Sequence, residues 1–263
     1  MRITAILAVR NERPYLGNCL THLIDNGLDF ILIDNGSTDG TRELLSQPPF
    51  ADHLVDYRTH PYDGAFDWSG LLQARETAAK ESGADWVLFV SADEIMHSYV
   101  PGETLAEAIA RLDAAGAQVI DFNEFVFLPV DHDYVPDAPG PQPLQHYYFY
   151  EPWRPRLMRA RRRDLEVSHQ AQGGHTFEGD FRLAGESFAL RHYLFRDQAH
   201  AAAKYTGRVF KADEVERGWH RNRAGAAAGQ FTFPPPQTLH RLASPADRDL
   251  RRDAPRKTHY WEG

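Results

Sequence analysis

The chain has 263 residues, of which 42% are hydrophobic, with a formal net charge of −8 and one cysteine. That apolar fraction suffices for a sizeable core in one large domain or two small ones, while the negative balance argues against a general affinity for nucleic acid or an anionic membrane. One thiol excludes an internal disulfide framework and fits a reducing compartment. No apolar run approaches the ~20 residues that span a bilayer, and the opening strand meets Arg10 and Glu12 too soon to read as a secretory leader, so a cytoplasmic protein is expected.

In chain order, strands are predicted at 3–9, 30–33, 86–90 and 118–127, with a further short one at 54–57. Helices are predicted at 14–26, 39–47, 67–82 and 103–115. Alternation of this kind predicts a parallel sheet with right-handed crossovers. Cys19 falls on the apolar face of the first helix and reads as a buried structural thiol. Phe30 to Ile33 form a β-branched run fit for burial on both faces, and Asp34 sits at its carboxyl end, outside which such sheets hold ligands. Ser37 or Thr38 is the expected cap of the next helix. No Gly-x-Gly-x-x-Gly follows, so an acidic strand end here suits hydrogen bonding to a base, a ribose or a metal rather than to a dinucleotide.

Pro129 to Pro155 is rich in proline and aromatics, with Pro136, Pro139, Pro141 and Pro143 leading to His146-Tyr147-Tyr148-Phe149-Tyr150 and Trp153. The stretch reads as a loop whose rings either cover the sheet edge or form an acceptor-side lid. The last 50 residues mix charges between Arg241 and Lys257, the pattern of a solvated surface or a frayed tail.

Three segments carry a family resemblance: Ile3 to Glu12 with the helix start at Tyr15, Asp34 to Thr41 with its Gly-Ser-Thr-Asp-Gly-Thr turn, and Ala84 to Glu94. In this order and spacing they resemble the family 2 glycosyltransferases of GT-A fold. The resemblance implies an α/β Rossmann-like sheet, mixed but mainly parallel, flanked by helices and followed by an irregular C-terminal acceptor-side region. It divides the chain into a nucleotide-sugar half (1–128), an acceptor-side and metal-completing half of the same domain (129–210) and a C-terminal extension (211–263). It further implies a nucleotide-diphosphate sugar as donor, an acceptor hydroxyl, inversion, and Mn²⁺ or Mg²⁺.

The expected donor pocket comprises Ala8, Arg10, Asn11, Glu12, Asp34, Arg75, Ser91 and Ala92. Asp93 stands at the metal-binding end of the family's Asp-x-Asp, whose first Asp is replaced by Ser91; Glu94 is placed to support it. The plainer alternative for Asp93-Glu94 is helix N-capping. Arg75 stands where the family has an Ala-Arg-Asn helix, with Glu76 in place of Asn; it would reach the diphosphate or else be an exposed arginine paired with Glu76 or Glu81. Farther on, His192-Tyr193-Leu194-Phe195-Arg196-Asp197 resembles one branch's His-Tyr-x-x-Arg-Ser. His192 would complete the metal sphere with Asp93, or be a satisfied structural histidine, and Arg196 and Lys204 would clamp the diphosphate.

For the general base, Asp180 and Glu178 after the Gly-Gly-His175 turn come first, His175 could orient the acceptor or act as base, and Asp121 and Glu124 remain as further carboxylates. The rival readings are a non-catalytic nucleotide or glycan binder, and a metal-dependent hydrolase or nucleotidyltransferase using Asp93, His175 and His192.

Overall fold

A computed structural model of the chain describes residues 1–130, 144–170, 172–220, 223–224, 227–244 and 246–262. The strands are β1 (Ile3–Val9), β2 (Asp29–Asp34), β3 (Leu54–Thr59), β4 (Trp86–Val90), β5 (Glu94–His97), β6 (Val119–Phe127), β7 (His146–Tyr150), β8 (Met158–Arg162), β9 (Phe188–His192) and β10 (His240–Arg241). The helices are α1 (Arg13–Asp25), α2 (Thr41–Leu45), α3 (Phe50–His53), α4 (Trp68–Glu81), α5 (Leu105–Ala114), α6 (Gln198–Thr206) and α7 (Ala212–Glu216).

The sheet runs β10-β7-β6-β8-β4-β1-β2-β3, and β9 joins it by pairing with both β5 and β6. β1, β2, β3 and β4 are mutually parallel. β8 lies antiparallel between β4 and β6. This is the expected mixed, mainly parallel α/β sheet flanked by helices. Its first half alternates strictly between two cores, as a two-period demands. Leu7, Leu32 and Leu88 enter one core under α1 and α5. Ile6, Ile31 and Phe89 enter the other under α4. Leu16, Cys19, Leu20 and Leu23 form the buried stripe of α1, which confirms Cys19 as an interior thiol.

The start of α5 is a full capping box. Thr104 accepts from the Glu107 backbone N–H while Glu107 reaches back to the Thr104 backbone. Thr104→Ala is expected to cost about 1 kcal/mol, read as a lower urea midpoint at unchanged slope.

The turn after β2 departs from expectation. Ser37 and Thr38 do not cap α2; its cap position is Gly40, at φ 84°, with no side-chain bond. Their backbone N–H groups are spent elsewhere, Ser37 on Asp34 Oδ1 at 2.7 Å and Thr38 on Asn11 Oδ1 at 2.8 Å. Asp39 takes over the helix start, accepting from the Thr41 backbone at 3.1 Å and hydroxyl at 2.7 Å.

His146 to Tyr150 is strand rather than loop, paired antiparallel with β6. Tyr148 and Tyr150 pack with Phe195 and Trp261 on one face. Tyr147 and Phe149 pack with Phe125, Phe127, Leu242 and Leu250 on the other. An aromatic run covered on both sides favours a strand, so these rings are core; Trp153 is 53% exposed. The proline stretch at 131–143, with Pro136, Pro139, Pro141 and Pro143, lies outside the described residues. The final segment is no frayed tail: β10 pairs with β7, and Phe231, Leu242, Leu250 and Trp261 are buried. Among the described residues no helix is long and apolar enough to cross a membrane.

Candidate active site

The carboxyl ends of β1, β2 and β4 converge, and the turns beyond them are tied together. Asn11, at φ 54°, receives the Thr38 N–H and donates its own N–H to Ser37 Oγ at 3.1 Å. Arg10 lies with its guanidinium 3.5 Å from the centre of the Tyr62 ring. Asp34 is buried and doubly bound, by Ser37 N–H and by the Tyr57 hydroxyl at 2.6 Å. Burial, and then that bond to Asp34, pushes the Tyr57 phenol up to about 12. Asp34 thus braces the turn after β2 against β3. Ala8 pairs with Ile33 across the β1–β2 ladder, and Ala92 is buried in the turn after β4.

That turn is built by Glu94. Its Oε2 accepts the Ser91 N–H at 2.8 Å and its Oε1 accepts from Arg159 at 2.9 Å. Glu94 opens a strand, not a helix, so the capping alternative for Asp93-Glu94 falls away.

Asp93 projects into a charged cluster assembled from distant elements. Glu94 faces His192 across the β5–β9 pair, and the Tyr193 N–H closes on the Asp93 carbonyl at 2.8 Å. His192 Nε2 then lies 3.6 Å from Asp93 Oδ2, while its Nδ1 is 2.6 Å from Glu124 Oε1. The second oxygen of Glu124 binds Arg156. From α6, Lys204 Nζ donates to the same Asp93 Oδ2 at 2.9 Å and to the Leu194 carbonyl at 3.2 Å. Asp197, where the branch has Ser, caps α6 by accepting the His200 N–H at 2.6 Å.

Burial alone would raise the Asp93 carboxyl, but Lys204 and then His192 outweigh it and hold it well below the usual carboxylate range. Burial is likewise outweighed at Glu124, by Arg156 and His192. It is outweighed at His192 too, where Asp93 and Glu124 push the imidazole up to about 10. Glu12 is raised by burial, a shift that Lys204 partly counters. The cluster is a compensated set of charges in a poorly hydrated place.

The expected metal pair, Asp93 and His192, is therefore brought together. Among the described residues, however, no group of three or more His, Cys, Asp or Glu is placed to hold a metal. A divalent cation also needs a neutral imidazole and a free carboxylate. Both His192 nitrogens face carboxylate oxygens, and the Asp93 oxygen already carries an ammonium. On the Asp93 oxygen that faces His192, Mn²⁺ or Mg²⁺ does not fit unless Lys204 moves away.

Several other expectations are corrected. Arg75 is 2% exposed, with Nη2 3.4 Å from the Ile6 and Val90 carbonyls. Burial, and then Arg159, lowers it to about 9. It belongs to the interior beneath the sheet, neither an exposed helical arginine nor a pocket wall, and Glu76 and Glu81 pair instead with Arg161 and Arg58. Glu178 and Asp180 are exposed. Glu178 pairs its backbone with Ser168, and the chain then reaches Gln118 through Arg182. Gln118 precedes β6 at the end of the sheet opposite Asp93, so this segment runs away from the cluster.

His175 stays beside the cluster, its Nδ1 on the Gln172 carbonyl at 3.0 Å. Burial, followed by Arg156 and Arg159, lowers it to about 3, too weak for a general base near neutrality. Glu124 has both oxygens engaged, and Asp121 Oδ1 accepts the backbone N–H groups of Arg156 and Leu157. Arg196 is partly exposed at the approach to α6, its N–H 3.2 Å from His200 Nδ1.

Sequence reading missed the partnerships of Glu124, Arg156 and Glu12. The available signal was Glu124 itself, an acid in a strand whose other residues are mostly apolar, which is tolerated in the interior only when paired.

A sheet with charged groups gathered beyond the carboxyl ends of its parallel strands defines the chain as an α/β protein of the class that holds ligands at that edge. The chain belongs to glycosyl transferase family 2, whose model matches residues 4–178. It is 30% identical over 129 residues to glycosyltransferase GlyA of Streptococcus pneumoniae serotype 4, covering 47% of this chain and 17% of that protein. To the lipopolysaccharide core biosynthesis glycosyltransferase LpsC of Rhizobium meliloti it is 25% identical over 118 residues, 45% of this chain and 39% of that one. The chain thus spans less than half the length of either relative. Among solved structures, S. aureus TarS 1-349 in complex with UDP aligns with TM-score 0.46 and 14% identity, over 82% of this chain and 68% of that one. The mannosyltransferase PcManGT of Pyrobaculum calidifontis, in complex with GDP-Man and Mn²⁺, aligns with TM-score 0.43 and 14% identity, over 85% and 70%.

Proposed function

We propose that the chain transfers a sugar from a nucleotide-diphosphate donor to an acceptor hydroxyl, with inversion. The observation that carries this reading is the convergence of Glu12, Asp93, His192 and Lys204 beyond the carboxyl ends of β1, β4 and β9, beside the cross-linked Asn11–Thr38 turn. The turn supplies polar backbone at the depth of a nucleoside, and the cations stand where a diphosphate would lie. On the acceptor side, Trp153 and His175 meet edge to face with ring centres 6.4 Å apart, a surface on which a sugar ring can stack.

A panel of UDP-, GDP-, dTDP- and CDP-sugars tests the reading by thermal shift, since a ligand at 100 Kd stabilises the native state by about 2.7 kcal/mol. One nucleotide class is expected to raise Tm by several degrees, and turnover with an acceptor extract is expected to release nucleoside diphosphate. Failure of all four classes to bind would end the transferase reading. Release of pyrophosphate would turn it toward nucleotidyl transfer.

A further inference from the structure

Resting on that reading, we propose that Lys204 is the resident cation of the donor site, supplying in place of a divalent metal the positive charge that stabilises the departing nucleoside diphosphate. Its Nζ lies 2.9 Å from Asp93 Oδ2 and 3.2 Å from the Leu194 carbonyl, which occupies two of its three N–H groups and fixes the third. The side chain is 9% exposed, as is that of Asp93. An ammonium so held is immobilised before a ligand arrives, which is the condition for electrostatic stabilisation without reorganisation.

Three further observations separate this from an ordinary ion pair. Asp93, the one acid left of the Asp-x-Asp pattern after Ser91, meets Lys204 and His192 on a single oxygen. His192 turns Nδ1 to Glu124 at 2.6 Å and stands with Nε2 3.6 Å from Asp93, so the oxygen that meets Lys204 is hemmed in by the imidazole as well. A divalent ion on Asp93 would stand beside the Lys204 ammonium, and two like charges about 4 Å apart repel by several kcal/mol at the polarity of a protein surface. Arg208, stacked 4.8 Å from the Phe66 ring and within electrostatic reach of Glu12 and Asp93, adds a second cation to the same wall.

In the reaction, the acceptor oxygen forms its bond to the anomeric carbon as the bond from that carbon to the β-phosphate oxygen breaks. The electron pair passes to the phosphate oxygen, where Lys204 meets it, and the acceptor's hydroxyl proton is released to solvent. With serine at position 91 and Lys204 on the remaining acid, the local charge is set by the chain itself.

Calorimetric titration of UDP, GDP, dTDP and CDP into protein freed of metal with EDTA decides the matter, repeated with Mn²⁺ and with Lys204→Met and Lys204→Arg. Wild-type affinity for the preferred nucleotide is expected to change less than about twofold between EDTA and Mn²⁺. Lys204→Met is expected to lose about tenfold or more, the scale of one charge-assisted bond, and to regain binding when Mn²⁺ is added, since Asp93 is then free. Lys204→Arg is expected to keep metal-free binding. Wild type that binds nucleotide only with Mn²⁺ overturns this inference and leaves the transferase reading standing; wild type that binds none of the four under either condition overturns both. Should Lys204→Met fail to fold, the wild-type comparison alone decides.

Discussion

Glu76→Ala is expected to destabilise the protein by about 3–5 kcal/mol, the cost of leaving one member of a buried ion pair uncompensated. Arg161 is fully buried, and its Nη2 meets Glu76 Oε2 at 2.8 Å. Its Nη1 is held by the Arg162 and Arg163 carbonyls at 2.9 and 3.1 Å. The guanidinium lies 5.8 Å from the Phe89 ring centre and 5.7 Å from that of Phe177. Arg75 is buried next to Glu76 in sequence, so loss of the carboxylate leaves two guanidinium groups sharing less negative charge. The double variant Glu76→Leu, Arg161→Met removes both charges and keeps the volume, and its cost is expected to be well below that of Glu76→Ala. Urea unfolding of that double variant and of its two single variants, Glu76→Leu and Arg161→Met, closes the cycle and measures the coupling. A Glu76→Ala cost under about 1 kcal/mol would show the pair to be effectively solvated.

The same pair explains why half of the fold was legible in the sequence and half was not. β1, β2 and β4 are doubly buried parallel strands, so they read as continuous apolar runs, and their Asn-Glu, Gly-Ser and Asp-Glu endings mark the turns. β8 reads Met-Arg-Ala-Arg-Arg, which no hydropathy pattern assigns to the middle of a sheet. It lies there because Arg159 and Arg161 find Glu94 and Glu76 in other elements, and those partners are invisible locally. The site divides in the same way. Asp93 and His192 could be named because each ends a recognisable strand, and the sheet then sets them 3.6 Å apart. Lys204 was legible as a cation of the donor site but not as the partner of Asp93, because the two are 111 residues apart and only the packing of α6 joins them. Asp180 and Glu178 looked suitable because a glycine-flexed loop precedes them. The direction of the chain after His175, away from the carboxyl edge, is a tertiary fact that spacing does not contain.

Acid should unfold this protein well before its carboxylates are titrated, because several histidines are interred neutral. His97 sits between the Ser98 carbonyl at 2.9 Å and Arg191 at 3.2 Å. Burial, and then Arg191, lowers it to about 3. His259 bonds the Tyr148 hydroxyl at 2.6 Å and stacks on Tyr150 and Trp261 with ring centres 3.8 and 4.4 Å away; burial likewise takes it to about 3. His169 lies against Phe89 and Phe177, 5.0 and 4.4 Å between centres, and burial holds it well below its ordinary value. In each case the folded pKa lies below that of the unfolded chain, near 6.5. Between about 6.5 and 3 the unfolded state binds more protons, so stability is fully present above pH 6.5 and falls as pH drops. Each such group contributes a slope of at most about 1.4 kcal/mol per pH unit, and the three together at most about 4. Asp93 and Glu124, held low by their cations, add their own loss only below about pH 4. His169→Phe isolates one group, since the His169 Nε2 has no hydrogen-bond partner to forfeit. Urea midpoints from pH 8 to pH 4.5 should then fall less steeply than in wild type by about 1 kcal/mol per unit, with the difference developing only below pH 6.5. Equal slopes in the two proteins would mean that His169 takes up its proton in the folded state, against the burial that surrounds it.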